Sequence, residues 1–145
     1  HKLDALRERA TRAGMNIIDT RPITTTKVVK RLHGSADGVF IDAPCTGTGV
    51  LRRNPDILHR LTSESLAELI TIQRDILRRN APIAKVGGTV VFATCSILPE
   101  EGAEQIRWFL ASEIGAKFTC EHEWLSMPGD KNGDGFYVAR MRRVA

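Results

Sequence analysis

The chain has 145 residues, 42% of them hydrophobic, and its 21 basic and 17 acidic side chains leave a formal charge of +4. That is the length of one domain with enough apolar content for a core; no run nears the ~20 apolar residues of a membrane-spanning helix, and no basic start followed by an apolar stretch marks a secretory leader. Three cysteines without CxxC or HxxxH spacing exclude a dense disulfide scaffold and argue against a metal site, leaving free thiols in a reducing cytoplasm.

The predicted elements alternate between helix and strand. "HKLDALRERATRAGM" sets Leu3, Leu6, Ala10 and Ala13 at helical spacing, with Gly14 as a stop. "MNIID" reads as a short buried strand ending at Asp19. Connecting chain follows, with a helical turn around residues 28–32. "GVFIDA" is the next strand, and Asn54-Pro55 fits a helix start, with Asn as cap and Pro in the first turn. Residues 62–85 read as a long helix with Leu66, Leu69, Ile70, Ile76, Leu77 and Ala84 in its buried stripe. Gln73 falls inside that stripe, and Pro82 kinks or ends the helix. "VGG" then turns into "TVVFATC", apolar on both faces as in a parallel strand covered by helices on both sides. Pro99, Glu100 and Glu101 open another helix, with Ala103, Ile106, Phe109 and Leu110 inward. "KFTCEHEWL" and "GFYVARMRR" read as closing strands around the loop "PGDKNGDG". This alternation predicts an α/β fold with a mainly parallel sheet and an antiparallel hairpin at its C-terminal edge.

Two stretches hold the residues able to do chemistry. "DAPCTGTGV", residues 42–50, sets Cys45 between Pro44 and two glycines, just past Asp42; "VVFATCSILPEE" ends its strand at Cys95. One long helix separates the two strands. A strand–helix–strand crossover returns beside its starting strand, and neighbouring strands lie ~4.8 Å apart. Both thiols therefore overhang one carboxyl edge, where open α/β sheets bind ligands. Cys95 also precedes the helix opened by Pro99, and a helix N-terminus favours a thiolate, which makes Cys95 a candidate nucleophile. Either thiol alone reads as a small buried hydrophobe; two of them on one edge, in loops of Thr, Ser, Gly and Pro, read as chemistry. Cys120, in an alternating edge strand, reads as packing. Other glycine-loop chemistries fail on counting. A Cys-x5-Arg phosphatase loop needs arginine where Leu51 stands, a phosphate-binding loop needs Gly-Lys-Ser/Thr, and a dinucleotide fingerprint needs glycine where Arg52 stands.

In order along nearly the whole chain, "DAPCTGTGVLRRNPDI", Gln73, "GGTVVFATCSILPEE" and "DGFYVARMRR" resemble the Sun/Fmu-like family of RNA cytosine-carbon-5 methyltransferases, which pairs a Pro-Cys loop with a Thr-Cys loop. The resemblance implies a Rossmann-like fold, S-adenosylmethionine as cofactor and RNA, ribosomal RNA in particular, as partner. It implies covalent catalysis, in which a thiolate adds to carbon 6 of cytosine, carbon 5 attacks the sulfonium methyl, and loss of the carbon-5 proton releases the thiol. By match to the Thr-Cys motif Cys95 is the nucleophile; by match to the Pro-Cys motif Cys45 assists release as a base or proton carrier. Asp42 is implied as the acid facing both cofactor and base, Pro44 and its loop as cofactor contacts, and Asp19 as a cofactor-contacting acid after the preceding strand. Arg52 and Arg53 follow the loop and are candidates for RNA phosphates as much as for solvated charge. Gln73 reads as bonding a nearby loop backbone, and Trp108 and Trp124 as packing residues.

The sequence departs from the family's Pro-Glu-Glu-Asn run by carrying Gly102, and it shows no Gly-rich cofactor loop or second-strand acid. Beginning at His1 rather than Met, residues 1–145 read as the C-terminal portion of one catalytic domain. Alone, such a chain is expected to be inactive, to bind the cofactor weakly, and to dimerise through a sheet edge left open. The competing reading is a non-catalytic RNA-binding or ribosome-assembly module that keeps the fold; a thiol redox protein would want a CxxC.

Overall fold

The computed structural model describes residues 2–23, 25–129 and 133–145. Helices α1 (Lys2–Arg12) and α2 (Thr26–Lys30) precede strand β1 (Ala36–Asp42). A one-turn helix α3 (Ile57–Arg60) leads into the long α4 (Ser63–Asn80). Strand β2 (Ala84–Thr94), helix α5 (Ala103–Leu110) and strands β3 (Phe118–Ser126) and β4 (Phe136–Arg143) follow. The strands form one sheet in the order β1-β2-β4-β3. β1 and β2 run parallel, while β4 is antiparallel to both its neighbours. This is the α/β architecture the sequence predicts, with the antiparallel hairpin at the edge, but the sheet is mixed: one of its three pairings is parallel.

Local chemistry sets the element ends. Thr62 caps α4 reciprocally, its hydroxyl accepting from Ser65 N at 3.1 Å while Ser65 Oγ accepts from Thr62 N at 3.0 Å. Pro82 cannot continue that helix, and the chain tightens into a 3-10 turn, Ala81–Ile83, before β2. The core lies on one face of the sheet. Ile41, Val90, Phe92, Tyr137, Ala139 and Met141 meet Leu77 of α4 and Ile106 and Phe109 of α5.

Several expectations change. "MNIID" is not a strand, and Ile17 within it is 84% exposed. Among the described residues no strand pairs with it, and an unpaired extended segment leaves its backbone groups to water. β2 is covered on one face and not two, because α4 and α5 pack together on the same side; Phe40, on the other face of β1, is 69% exposed. The stripe of α1 is largely unburied, with Ala10 alone in the core. The Asn54-Pro55 start shifts to Asp56, which holds the N-cap position of α3 without a side-chain capping bond, while Asn54 and Pro55 supply turn carbonyls to Ile57 and Leu58. Pro99–Glu101 is a 3-10 turn, and α5 begins after Gly102. β2 starts at Ala84, ahead of the two glycines, with a register irregularity opposite Ala36 and Gly38. Of the predicted loop "PGDKNGDG", residues 130–132 lie outside the described residues, as do His1 and Thr24. No described helix is long and apolar enough to cross a membrane.

Phe109 is fully buried and packs on the Phe118 ring at 5.4 Å between centroids. Phe109→Ala removes that ring from a closed interior and is expected to cost about 3–5 kcal/mol of stability, read as a lowered denaturant midpoint.

Candidate active site

The parallel register sets Asp42 beside Ala93, and a bond from Ala43 N to Ala93 O at 3.0 Å carries the ladder one residue further. Beyond it both chains leave the sheet at the carboxyl edge. Cys45 and Cys95 meet there, with 3.3 Å between Sγ atoms, and both are free thiols. The sequence places them on one edge; the structure places them in contact.

A buried polar network holds the two loops. Glu101, fully buried, accepts from Thr46 N at 2.9 Å through Oε1 and from Thr46 Oγ1 at 2.5 Å through Oε2. Gln73 Nε2 donates both to Glu101 Oε1 and to the Pro44 carbonyl, at 2.9 Å each, so Gln73 does bond loop backbone as expected. Gln105 Nε2 in turn donates to Gln73 Oε1 at 2.9 Å. A second link joins Thr48 Oγ1 to Ser96 Oγ at 2.9 Å, and Ile97 N donates to Thr48 Oγ1. A third is backbone alone: Gly49 N donates to Cys95 O at 3.0 Å, and Gly135 N donates to Gly49 O at 2.8 Å. A side chain at Gly49 would place its first carbon 2.0 Å from Gly135 O, so the close approach of the three segments requires glycine.

Burial pushes the Cys45 thiol up to about 12; Cys95 beside it adds to the effect, the Glu101 charge adds less, and the Gly47 N–H opposes it. Cys45 therefore keeps its proton at neutral pH. A cavity of about 420 Å³ opens against Cys45, lined also by Thr46, Gly47, Asn54, Ile57 and Arg60, within the ~300–1,000 Å³ of small-ligand pockets. Asp42 and Pro44 are exposed at the strand end. Asp19 is exposed in the segment after α1 and pairs with Arg21 at 2.7 Å. Arg53 Nε lies 2.9 Å from the nearly buried Asp134 carboxylate, with Arg52 at 3.8 Å, and both guanidinium groups stay largely exposed.

The sequence model of the family described as 16S rRNA methyltransferase RsmB/F matches residues 1–142. The chain belongs to the RsmB/F methyltransferase family. It is 45% identical over 107 residues to ribosomal RNA small subunit methyltransferase B of Proteus mirabilis, a match covering 74% of this chain and 25% of that protein. The chain thus spans about a quarter of that relative's length. Among solved structures, the protein PH0851 superposes with a TM-score of 0.84 at 28% identity, over 97% of this chain and 34% of that one. NSun6 from Pyrococcus horikoshii, solved with SFG, superposes with a TM-score of 0.82 at 21% identity, over 99% of this chain and 39% of that one.

Within this RsmB/F family member, the departure at Gly102 has a local cause: a Cβ there would come within 2.9 Å of the Tyr137 ring. Trp108 packs against the core and receives the Arg74 guanidinium 4.9 Å from its ring centre, as a packing residue. Trp124 stands 52% exposed on β3, the outer strand, where it lines a concavity with Leu125 and Tyr137. Sequence reading missed Thr46, Ser96, Glu101 and Asp134. For Glu101 the adjacent Glu100–Glu101 pair carries no local sign of which side chain turns inward.

Cys45 also ties stability to pH. The folded chain holds its proton up to about 12, whereas the unfolded thiol releases it near 9.0. Between those values the unfolded state binds fewer protons, so stability falls as pH rises through the window. Cys45→Ala removes this contribution, and its unfolding midpoint is expected to fall less steeply above pH 9 than the parent's.

Proposed function

We propose that this chain is the C-terminal portion of the catalytic domain of an S-adenosylmethionine-dependent methyltransferase that modifies carbon 5 of cytosine in ribosomal RNA. The observation that carries this reading is the 3.3 Å contact of two free thiols at the carboxyl edge of a parallel strand pair. A non-catalytic module has no use for it.

The residues present fit part of a cofactor site. Asp42 offers an exposed carboxylate without an ion pair among the described residues, next to the exposed Pro44; these two, with Asp19, are the proposed cofactor contacts. That the NSun6 neighbour was solved with SFG supports such a site on this fold. Bound there, S-adenosylmethionine would supply an electrophilic methyl group. Cys95, having released its proton to solvent, adds as a thiolate to carbon 6 of the cytosine and so raises electron density at carbon 5. Asp42 faces the base. Once carbon 5 carries the methyl group, its proton passes to Cys45 while Cys45 passes its own proton to the departing Cys95 sulfur. Cys45 ends protonated, as it began. Arg52 and Arg53, exposed and steadied by Asp134, take RNA phosphates. The open edge of β1, with Phe40 and Ile17 exposed near the N-terminal half, suits pairing with a second copy when the chain stands alone.

In the full-length protein, Cys95→Ala should abolish turnover and every covalent RNA adduct. Cys45→Ala should let the adduct form and persist as a denaturant-resistant protein–RNA band. An adduct lost in Cys45→Ala and kept in Cys95→Ala would reverse the roles.

The isolated 145-residue chain is expected to bind S-adenosylmethionine weakly and to be inactive, because only Asp42, its loop and Asp19 are at hand to hold it and each missing hydrogen bond forfeits about 1 kcal/mol. Calorimetric titration checks this, with micromolar binding as the contrary result.

A further inference from the structure

The buried carboxyl group of Glu101 has no role in the chemistry just described, yet its placement is costly. Burying a charge is unfavourable unless hydrogen bonds replace the lost water. Glu101 recovers those bonds from Thr46, which follows Cys45, and from Gln73 of α4. Thr46, on one side, gives it both a backbone N–H and a hydroxyl. Pro44, on the other side, is joined to it through the single Nε2 group of Gln73, which donates to the Pro44 carbonyl and to Glu101 Oε1 at once. The peptide units on both sides of Cys45 are therefore fixed to one carboxylate, which itself stands on the 3-10 turn Pro99–Glu101 that follows the Cys95 loop. Thr94 Oγ1, adjacent to Cys95, donates to the Glu101 carbonyl at 3.3 Å and closes the circuit. Gln105 orients Gln73 from behind.

We propose that Glu101 is a positioning residue whose carboxylate, with Gln73, holds Cys45 at transfer distance from Cys95. Glu101 touches neither thiol and neither substrate in this role; it acts through residues 44–46. The role rests on the release function assigned to Cys45 above. Loss of the clamp therefore slows the step that needs both sulfurs, release of the product, more than the step that needs Cys95 alone, formation of the adduct.

The test uses the full-length protein and its RNA substrate with S-adenosylmethionine, and follows the denaturant-resistant band over time so that its appearance and its decay are measured separately. Three variants are compared. Cys45→Ala sets the behaviour of a failed release. Glu101→Gln keeps the shape but presents an N–H where a second acceptor is needed. Thr46→Val keeps the side chain's shape and removes one hydroxyl, which donates to Glu101 at 2.5 Å and lies at the longer distances of 3.4 and 3.5 Å from Thr48 Oγ1 and Ser96 Oγ, so it reports even where Glu101→Gln fails to fold. Decay of the band is expected to slow about tenfold in Glu101→Gln, the cost of one hydrogen bond to a charged group, and by less in Thr46→Val, with its appearance little changed in both. A merely structural residue would instead slow appearance and decay together and lower the melting temperature in proportion. If Cys45→Ala accumulates adduct while neither Glu101→Gln nor Thr46→Val slows decay, the positioning role is overturned and the proposed function stands. If Cys45→Ala accumulates none, the release function falls, and the positioning role falls with it.

Discussion

Hydrogen bonds between β1 and β2 continue as far as Ala43 and Ala93 and then stop. That parallel ladder, imposed by a helix long enough to return the chain to the same edge, determines where two distant pieces of sequence end up. Fifty residues separate the two cysteines along the chain, and neither loop is long enough to search for the other. They meet because the ladder delivers both strand ends at one level and the loops turn toward each other immediately after it. The core on the covered face, centred on Phe92 and Phe109, fixes how α4 sits, and α4 carries Gln73 to the back of the Cys45 loop. Packing on one side of the sheet thus sets geometry at its end.

The site is built by removing polar groups from water and satisfying most of them, with Gln105 Oε1 left without a hydrogen-bond partner. Glu101, Gln73, Gln105, Thr48 and Ser96 are all buried, and they bond chiefly to one another and to loop backbone. In such surroundings a charge on Cys45 is unwelcome, since it would sit in a low-dielectric environment near the Glu101 carboxylate. The same burial that stiffens the loops therefore keeps one of the two sulfurs in its neutral form. Stiffness and protonation state are here two results of a single arrangement.

How much of this could be read from the residues differs by level. The convergence of Cys45 and Cys95 was legible because it follows from crossover topology, which tolerates errors of several residues in the element boundaries. The hairpin of β3 and β4 was legible from alternation. What periodicity reports is apolarity; it is silent on whether anything covers an apolar face. Hence "MNIID" and the second face of β2 read as buried and are not. Glu101 fails in the opposite sense. A glutamate in a helix-opening run reads as solvated charge, and only the path of the Cys45 loop, which depends on Gly49 lying against Gly135, shows that it points inward. The Arg52 and Arg53 pairing with Asp134 was hidden for the same reason, because it joins loops whose approach no local pattern encodes.

The contact between Gly49 and Gly135 also bears on how this region can diverge. Each glycine occupies the space a side chain at the other would need, and the carbonyl of Cys95 closes the third side. No single codon change at either position is locally accommodated, and changing both together makes the crowding worse. Residue exchange at this junction is therefore closed off on both sides, at the turn after the Cys45 loop and at the last residue before β4. The seam beside the two thiols thus tolerates glycine alone at both of its positions.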